Sequence, residues 1–176
     1  FAQDLNGDNT VSTSTTVTLD TAGTDNTLLQ ISADGNYQIA RTDTTGAITE
    51  TLELKASWGD YNISESWYSW MGDGYGPVAA AAYKDGFVVA TKQQGYSYYG
   101  SSSAPDQWNI QYYDNTGKSD YNGDRWNVDI ERWESIFAQD LNGDNTVSTS
   151  TTVTLDTAGT DNTLLQISAD GFYQIA

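Results

Sequence analysis

Aspartate and asparagine side chains recur at alternate positions in one short segment that occurs twice in the chain. The second occurrence, residues 140–146, reads Asp-Leu-Asn-Gly-Asp-Asn-Thr, and the first occupies residues 4–10. Oxygen ligands at loop positions 1, 3, 5 and 7, with position 7 giving its backbone carbonyl, are typical of EF-hand calcium sites. The sequence therefore predicts Ca²⁺ as a cofactor. Its candidate ligands are Asp4, Asn6, Asp8 and Thr10 in the first copy, and Asp140, Asn142, Asp144 and Thr146 in the second.

Position 12 of the loop departs from the EF-hand pattern. An EF-hand places a bidentate acid there, whereas this chain has Thr151. The missing carboxylate would have to come from Glu134, Asp156 or Asp161. Otherwise water fills the position, and the affinity falls towards the roughly 0.1–1 mM range of extracellular calcium modules. The alternative is a metal-free Asx-type turn, because Asp and Asn favour such turns in any case.

A helix is expected directly before the second loop. Four apolar side chains there fall at helical spacing: Ile130, Trp133, Phe137 and Leu141. They predict a helix over about residues 129–139, with Asn127 or Asp129 as its N-cap. A strand pattern, rather than a second helix, follows the loop, so the predicted unit is helix, calcium loop and strand.

The chain contains a long internal repeat. Residues 1–40 recur as residues 137–176, and the single difference is Asn36 against Phe172. This predicts a tandem array, with one full unit at 1–136 and the start of the next at 137–176. The predicted parts of the full unit are a calcium loop at 4–15, a β-rich body at 16–128 and the helix at about 129–139. The alternative is a 40-residue cassette that flanks a unique insert.

The body of the unit is expected to be antiparallel β-structure. Alternating β-branched and polar residues, Asp-Gly turns and short apolar runs predict strands and hairpins. The predicted strands are 11–19, 27–32, 37–41, 47–55, 78–83, 87–91, 107–113 and a short one near 125–128. The predicted fold class is mainly β, antiparallel strands and hairpins, with one short helix leading into an EF-hand-like calcium loop.

The composition excludes several functional classes. The chain has 24 acidic and 7 basic residues, for a net charge of -17, and it has no Cys and no His. Nucleic acid and anionic lipid are therefore not expected as partners. Thiol chemistry and His-based catalysis are excluded, and no run of residues is apolar enough to span a membrane. No carboxylate pair carries a supporting motif, so the chain is not expected to be an enzyme.

Aromatic residues in loops suggest a second function. Exposed rings are good platforms for sugar faces, so the alternative is a carbohydrate-binding module that uses exposed Trp and Tyr. The aromatics concerned are Trp67, Trp70, Tyr96, Tyr98, Tyr99 and Trp108. The competing interpretation is that most of them fill the core of a β domain that has few Leu and Phe residues.

The junction over residues 134–144, Glu-Ser-Ile-Phe-Ala-Gln-Asp-Leu-Asn-Gly-Asp, resembles that of a known class of repeats. These are the tandem "DLNGDG"-type, Trp/Tyr-rich repeats of large secreted, calcium-binding, RTX-like bacterial surface proteins and adhesins. Residues 80–92 and 107–122 are similar to the β part of the same repeats. The heptad also resembles the calcium loop of dockerins, which carry two such loops, each followed by a helix. The resemblance implies secretion, stabilisation by calcium and a place in an extended surface polymer.

Together these features predict a calcium-stabilised extracellular structural repeat of a bacterial surface filament, sheath or adhesin stalk. The expected location is the bacterial cell surface. The expected partners are neighbouring repeats or identical subunits, in a polymer or tandem array, and surface glycans. The strands of residues 147–176 are further expected to pair with sheets of a neighbouring unit.

Overall fold

A computed structural model describes residues 15–21, 25–69, 74–95, 104–149, 153–154, 165–167 and 173–175. The chain divides into two compact units, Phe1–Trp126 and Asn127–Ala176. This division precedes the predicted repeat boundary at residues 136 and 137, and it assigns the second helix to the second unit.

The first sheet of the first unit is a four-stranded antiparallel meander. Its strands, in both chain and spatial order, are β1 Val17–Thr18, β2 Thr27–Ile31, β3 Tyr37–Thr42 and β4 Ile48–Glu53. The turns after β2 and β3 contain Gly35 and Gly46, whose φ angles of 79° and 84° lie in the left-handed region that glycine tolerates. The predicted hairpins of this region are confirmed.

The second sheet of the first unit also has four antiparallel strands. They are β5 Tyr75–Tyr83, β6 Gly86–Gln93, β7 Gln107–Tyr113 and β8 Arg125–Trp126, again in chain order. The alanine run in β5 is extended rather than helical, because Ala79, Ala80 and Ala81 are buried along a strand that pairs with β6. Gly86 is required after the turn, since a Cβ atom there would lie 2.1 Å from the carbonyl oxygen of Tyr113.

The hydrophobic core of the first unit takes side chains from both sheets. Leu29, Tyr37 and Ile39 come from the first sheet, and Phe87 and Val89 from the second, and all are buried. Two carboxylates in the loops around β2 also join the sheets. Asp20 accepts the backbone N–H of Ala80, at 2.8 Å, and Asp25 accepts that of Ala82. These bonds give β5 partners for backbone groups that would otherwise form an open strand edge.

The helices are two and short among the described residues, so the expectation of a single helix is corrected. The additional helix, α1 (Glu65–Ser69), lies in the aromatic-rich segment of the chain that connects β4 to β5. The predicted helix is α2 (Glu131–Phe137), and it begins after Ile130, which forms no side-chain cap hydrogen bond. The predicted cap by Asn127 or Asp129 is therefore wrong. Neither described helix has the length and apolar character that a membrane crossing needs.

The second unit contains a three-stranded sheet that repeats the pairing of the first unit. Its strands are β9 Val153–Thr154, β10 Leu165–Ile167 and β11 Tyr173–Ile175, and β10 is in the middle. Leu165 pairs with Ile175 as Leu29 pairs with Ile39. Ile167 pairs with residue 153 as Ile31 pairs with Val17. The register is thus the same, residue by residue, at a separation of 136. The described strands of residues 147–176 pair with one another.

Equivalent residues of the two sheets differ in exposure. Leu29 and Ile39 are 0 % exposed, whereas Leu165 and Ile175 are 38 % and 78 % exposed. The first sheet is buried by strands β5–β7 of its own unit, and the second unit has no described strands beyond β11. The same sequence therefore forms a covered sheet in one copy and a sheet with exposed apolar residues in the other.

We expect Ile39→Ala to lower the free energy of unfolding by about 2–5 kcal/mol, because it opens a cavity in a packed core. The matched change Ile175→Ala removes the same atoms at the equivalent position of the exposed sheet. It should change stability by no more than about 0.5 kcal/mol. Urea denaturation followed by circular dichroism measures both. Equal losses in the two variants would contradict the difference in burial.

Candidate functional site

The loop after α2 has a left-handed backbone conformation at two positions, one of which is position 6, where an EF-hand loop has glycine. Gly143 and Asn145, loop positions 4 and 6, have φ angles of 83° and 69°. Asn is among the residues that tolerate this left-handed conformation best after glycine. Ala138, with φ 53°, ends the helix in the same conformation, and its N–H bonds to the carbonyl of Glu134. The chain therefore turns directly out of α2 into the loop.

Asp140 organises the first half of the loop. Its Oδ1 atom accepts the backbone N–H groups of Gly143 and Asp144, at 2.7 and 3.2 Å, and its Oδ2 accepts that of Asn145, at 2.7 Å. Asn142 Oδ1 accepts the N–H of Asp144, at 2.9 Å. Hydrogen bonds between the loop's own groups therefore hold Asp140, Asn142 and Asp144 close together.

Asp144 forms a local turn that also occurs at two other places among the described residues. Its Oδ1 accepts both the N–H and the hydroxyl of Thr146, at 2.8 and 2.5 Å. Asp43 makes the same two bonds to Thr45, and Asp114 to Thr116, in hairpin turns that have no calcium-loop pattern. The bonds of Thr146 hold the pKa of the Asp144 carboxyl below its ordinary value. The Asp144–Thr146 turn by itself therefore agrees with either a calcium loop or a metal-free Asx turn.

Glu134 closes the loop from the helix side. It is 0 % exposed, and its Oε1 accepts the N–H groups of Leu141 and Asn142, at 3.0 and 3.3 Å. Its Oε2 accepts the N–H of Ser148, at 2.9 Å. One buried carboxylate thus ties both ends of the loop to α2. Because both oxygens bind backbone amides, Glu134 acts here as a brace for the loop rather than as the missing acid of position 12.

The residues of the loop fit calcium in type but only partly in number. Asp140, Asn142 and Asp144 have the hard oxygen atoms that Ca²⁺ prefers, and Thr146 can add its backbone carbonyl. Calcium takes six to eight oxygen ligands, so water would complete the shell. Among the described residues, no group of three acidic side chains is placed to hold a metal ion.

Several predicted ligands lie outside the described residues. These are Asp4, Asn6, Asp8 and Thr10 of the first copy, and Thr151, Asp156 and Asp161 behind the second. The counterparts of Asp156 and Asp161 in the first copy are Asp20 and Asp25. Those two carboxylates bind backbone N–H groups of β2 and β5. In the first copy, these two positions thus serve strand pairing and packing.

A second candidate site, which we call the aromatic pocket, lies in the first unit. It is a cavity of about 150 Å³. Its aromatic lining consists of Trp58, Trp67, Tyr68, Tyr75, Tyr121 and Trp126. Its polar lining includes Ser57, Gln111, Ser119 and Asp124.

Of the two predicted aromatics that the structure describes, Trp67 lies in this pocket and Trp108 does not. Trp108 is buried beneath Lys92, whose ammonium group is 5.2 Å from the ring centroid. Trp70, Tyr96, Tyr98 and Tyr99 lie outside the described residues. Trp58, Tyr121 and Trp126 line the pocket but were not among the predicted sugar-binding aromatics. The available signal was their position in turn-rich segments, Trp58-Gly-Asp and Tyr121-Asn-Gly-Asp-Arg-Trp126.

Asp124 is the acidic residue in the described lining of the aromatic pocket. Burial raises the pKa of its carboxyl to about 6, and the nearby Asp120 raises it too, whereas the N–H of Tyr112 and the charge of Arg125 oppose the shift. Asp124 Oδ1 accepts that N–H at 2.9 Å. Burial also raises the pKa of the Tyr68 hydroxyl above its usual value, so this group stays protonated.

Comparison of the chain with models of known protein families, with curated proteins and with solved structures gave no match.

Glu134→Gln should destabilise the loop junction by about 1–3 kcal/mol, because an amide cannot accept hydrogen bonds at both of its ends. The backbone N–H of Ser148 then loses its acceptor. Hydrogen exchange should show faster exchange at Leu141, Asn142 and Ser148. The control is Glu131→Gln, at an exposed position of the same helix, which should leave these amides protected. Unchanged protection in Glu134→Gln would contradict the bracing role.

Asp124 should make the protein less stable as the pH rises. Its pKa is raised from 3.8 to about 6 in the folded protein, so the folded state holds the proton more tightly. Its favourable contribution is complete below about pH 3.8 and is lost as the pH rises through 6. We expect Asp124→Asn to gain about 1 kcal/mol over the wild type between pH 4 and pH 7, after a discount for solvent screening.

Chemical denaturation of both proteins at the two pH values checks this. The control is Asp43→Asn, because hydrogen bonds from Thr45 lower the pKa of Asp43. The difference in free energy of unfolding between Asp43→Asn and the wild type should change in the opposite direction with pH. Here the contribution of the Asp43 carboxylate to the stability of the wild type is lost as the pH falls. A difference between Asp124→Asn and the wild type that does not vary with pH would refute the shift.

Proposed function

We propose that this chain is a structural repeat of an extracellular bacterial surface protein, built from units of 136 residues. The observation that supports the proposal is the identical register of the two related sheets, in which Leu165–Ile175 repeats Leu29–Ile39. A unit that forms the same strand pairing in two places along one chain is what a tandem array requires.

An array would give the second sheet the same cover that the first sheet has. Leu165 and Ile175 are exposed where their counterparts Leu29 and Ile39 are buried. In an array, the body of the next unit covers this sheet as strands β5–β7 cover the first. In a self-assembled filament, a neighbouring subunit provides the same cover.

Calcium has a defined place in this proposal. The loop at residues 140–146 lies between α2 and the first strand of the second sheet, which is the junction between repeats. Asp140, Asn142, Asp144 and the carbonyl of Thr146 would hold the ion. Bound Ca²⁺ would neutralise two carboxylates in a chain of net charge -17 and would reduce the repulsion at the junction.

The loop is already closed by its own hydrogen bonds and by Glu134, so calcium would stiffen a preformed junction. Such a site suits an extracellular medium, where calcium is plentiful and a dissociation constant of about 1 mM suffices. The protein is proposed as a non-enzymatic component, and no residue is assigned a catalytic role.

Calcium at 10 mM should raise the free energy of unfolding by about 1.4 kcal/mol for a site with a dissociation constant of about 1 mM. Thermal denaturation in calcium and in EDTA measures this effect, and isothermal titration gives the number of ions bound. Asp144→Asn keeps the turn to Thr146 but removes the charge, so the number of bound ions should fall by one.

The matched control is Asp43→Asn, which changes the same kind of Asp–Thr turn outside the loop and should leave calcium binding unchanged. Magnesium and sodium chloride at equal ionic strength separate a specific site from general screening of the negative charge. If calcium stabilises no more than magnesium does, or if Asp43→Asn and Asp144→Asn behave alike, the loop is a metal-free Asx turn.

A further inference from the structure

We propose that the aromatic pocket binds a neutral pyranose ring, as part of a polysaccharide or at its end. Trp58 and Trp126 would provide the apolar faces on which the ring stacks. Asp124 and Gln111 would bind its hydroxyl groups. This site lies within the first unit, and the proposal does not depend on calcium binding by the loop.

The exposed aromatic rings of the described residues are concentrated at this pocket. Trp58, Tyr121 and Trp126 are 66 %, 62 % and 52 % exposed, and all three line it. Tyr61, at 65 %, is the remaining exposed large aromatic side chain in the described part of the chain. A cluster of exposed apolar surface around a cavity marks a binding site, because folding alone gains nothing from leaving it in water.

Two of the rings, those of Trp58 and Trp67, form one aromatic wall of the pocket. The ring centroids of Trp58 and Trp67 are 5.4 Å apart, and their planes are inclined by 33°. The half-buried Trp67 therefore supports the exposed Trp58 from one side. The face of a pyranose carries C–H groups, and the negative face of an indole ring attracts such weakly positive hydrogens. A wall of this kind suits a flat sugar ring.

The polar groups of the pocket include both an acceptor and a donor. Asp124 Oδ1 accepts the N–H of Tyr112, and Oδ2 accepts no hydrogen bond from a described residue. Gln111 Oε1 accepts the hydroxyls of Tyr68 and Thr91, at 3.2 and 2.9 Å. The amide N–H groups of Gln111 are thereby left to donate. Sugar hydroxyls, which both donate and accept, match this pair of groups.

The negative charge of the protein and the volume of the cavity further restrict the class of ligand. The net charge of -17 and the Asp124 carboxylate oppose uronic acids and sulfated sugars. A quaternary ammonium ion is the other ligand that aromatic sites attract. A titration with tetramethylammonium separates these two classes of ligand. The cavity of about 150 Å³ is below the roughly 300 Å³ of drug-sized sites, so it holds a single ring.

The test is a glycan array carrying neutral, acidic and amino oligosaccharides, probed with the full chain in EDTA. The affinity for the neutral glycans that bind is then measured by tryptophan fluorescence. Trp58→Ala and Trp126→Ala should each weaken binding about tenfold or more. Both positions are exposed, so both variants should keep the wild-type circular dichroism. Tyr61→Ala is the matched control, since it removes an equally exposed ring outside the pocket lining, and it should bind as the wild type does.

Asp124→Asn and tetramethylammonium chloride distinguish a sugar from a cation. The asparagine keeps an oxygen for a sugar hydroxyl, so neutral glycan binding should fall only severalfold, whereas binding of a cation should disappear. The proposal is overturned if no neutral glycan binds or if only acidic glycans bind. It is also overturned if Trp58→Ala and Tyr61→Ala bind equally, or if tetramethylammonium alone perturbs the fluorescence and does so only with Asp124 intact.

Discussion

The structure depends on carboxylates that bind backbone N–H groups. The chain has 24 acidic residues and only 7 basic ones, so ion pairs can neutralise only a minority of the carboxylates. Asp20 and Asp25 use theirs to join the two sheets at β5, and Glu134 uses its own to hold the loop after α2. Hydrogen bonds from backbone amides to a charged acceptor are each worth about 1.5–3 kcal/mol. Acidic residues that would otherwise only repel one another thereby connect the two sheets and hold the loop to α2.

Because aspartates help to hold β5 against the first sheet, the pairing of strands within that sheet does not depend on the packing of a second sheet against it. Pairing between β2 and β3 relies on backbone groups and on a local hairpin, so the second copy reproduces it with no further part of the unit. Covering needs β5, which is placed by Asp20 and Asp25 and by the buried side chains of the second sheet. Leu165 and Ile175 consequently remain exposed although their strands are correctly paired.

The sequence was most informative where the determinants are local. The Asp-Gly and Asp-Thr-Thr-Gly turns, the alternating strands and the 136-residue repeat predicted the hairpins and the mainly β class, which the structure confirms. The predicted strand at 107–113 agrees with β7 residue for residue. Helix α1 and the start of α2 were missed or misplaced because a five-residue helix in an aromatic segment depends on tertiary packing, and because no side-chain cap marks Ile130.

The residues of the candidate sites also differ in how far the sequence alone could predict them. The order of Asp140, Asn142 and Asp144 could be read directly, since one short segment contains all three. The role of Glu134 could not, because its carboxylate acts on backbone groups seven to fourteen residues later. The aromatic pocket brings Trp58 close to Tyr121 and Trp126. Trp58 is far from these two residues in the sequence, so only the fold shows that they line the same cavity.

The bracing by Glu134 also determines what calcium can do at the junction. In a loop that lacked internal hydrogen bonds, metal binding would have to provide the energy of ordering, and the site would act as a folding switch. Here Asp140 already accepts three N–H groups and Glu134 a further three. The ordering has therefore been achieved by the chain itself. An ion added to such a loop would change mainly its charge and its stiffness, which are the properties that the proposed joint between acidic repeats would require.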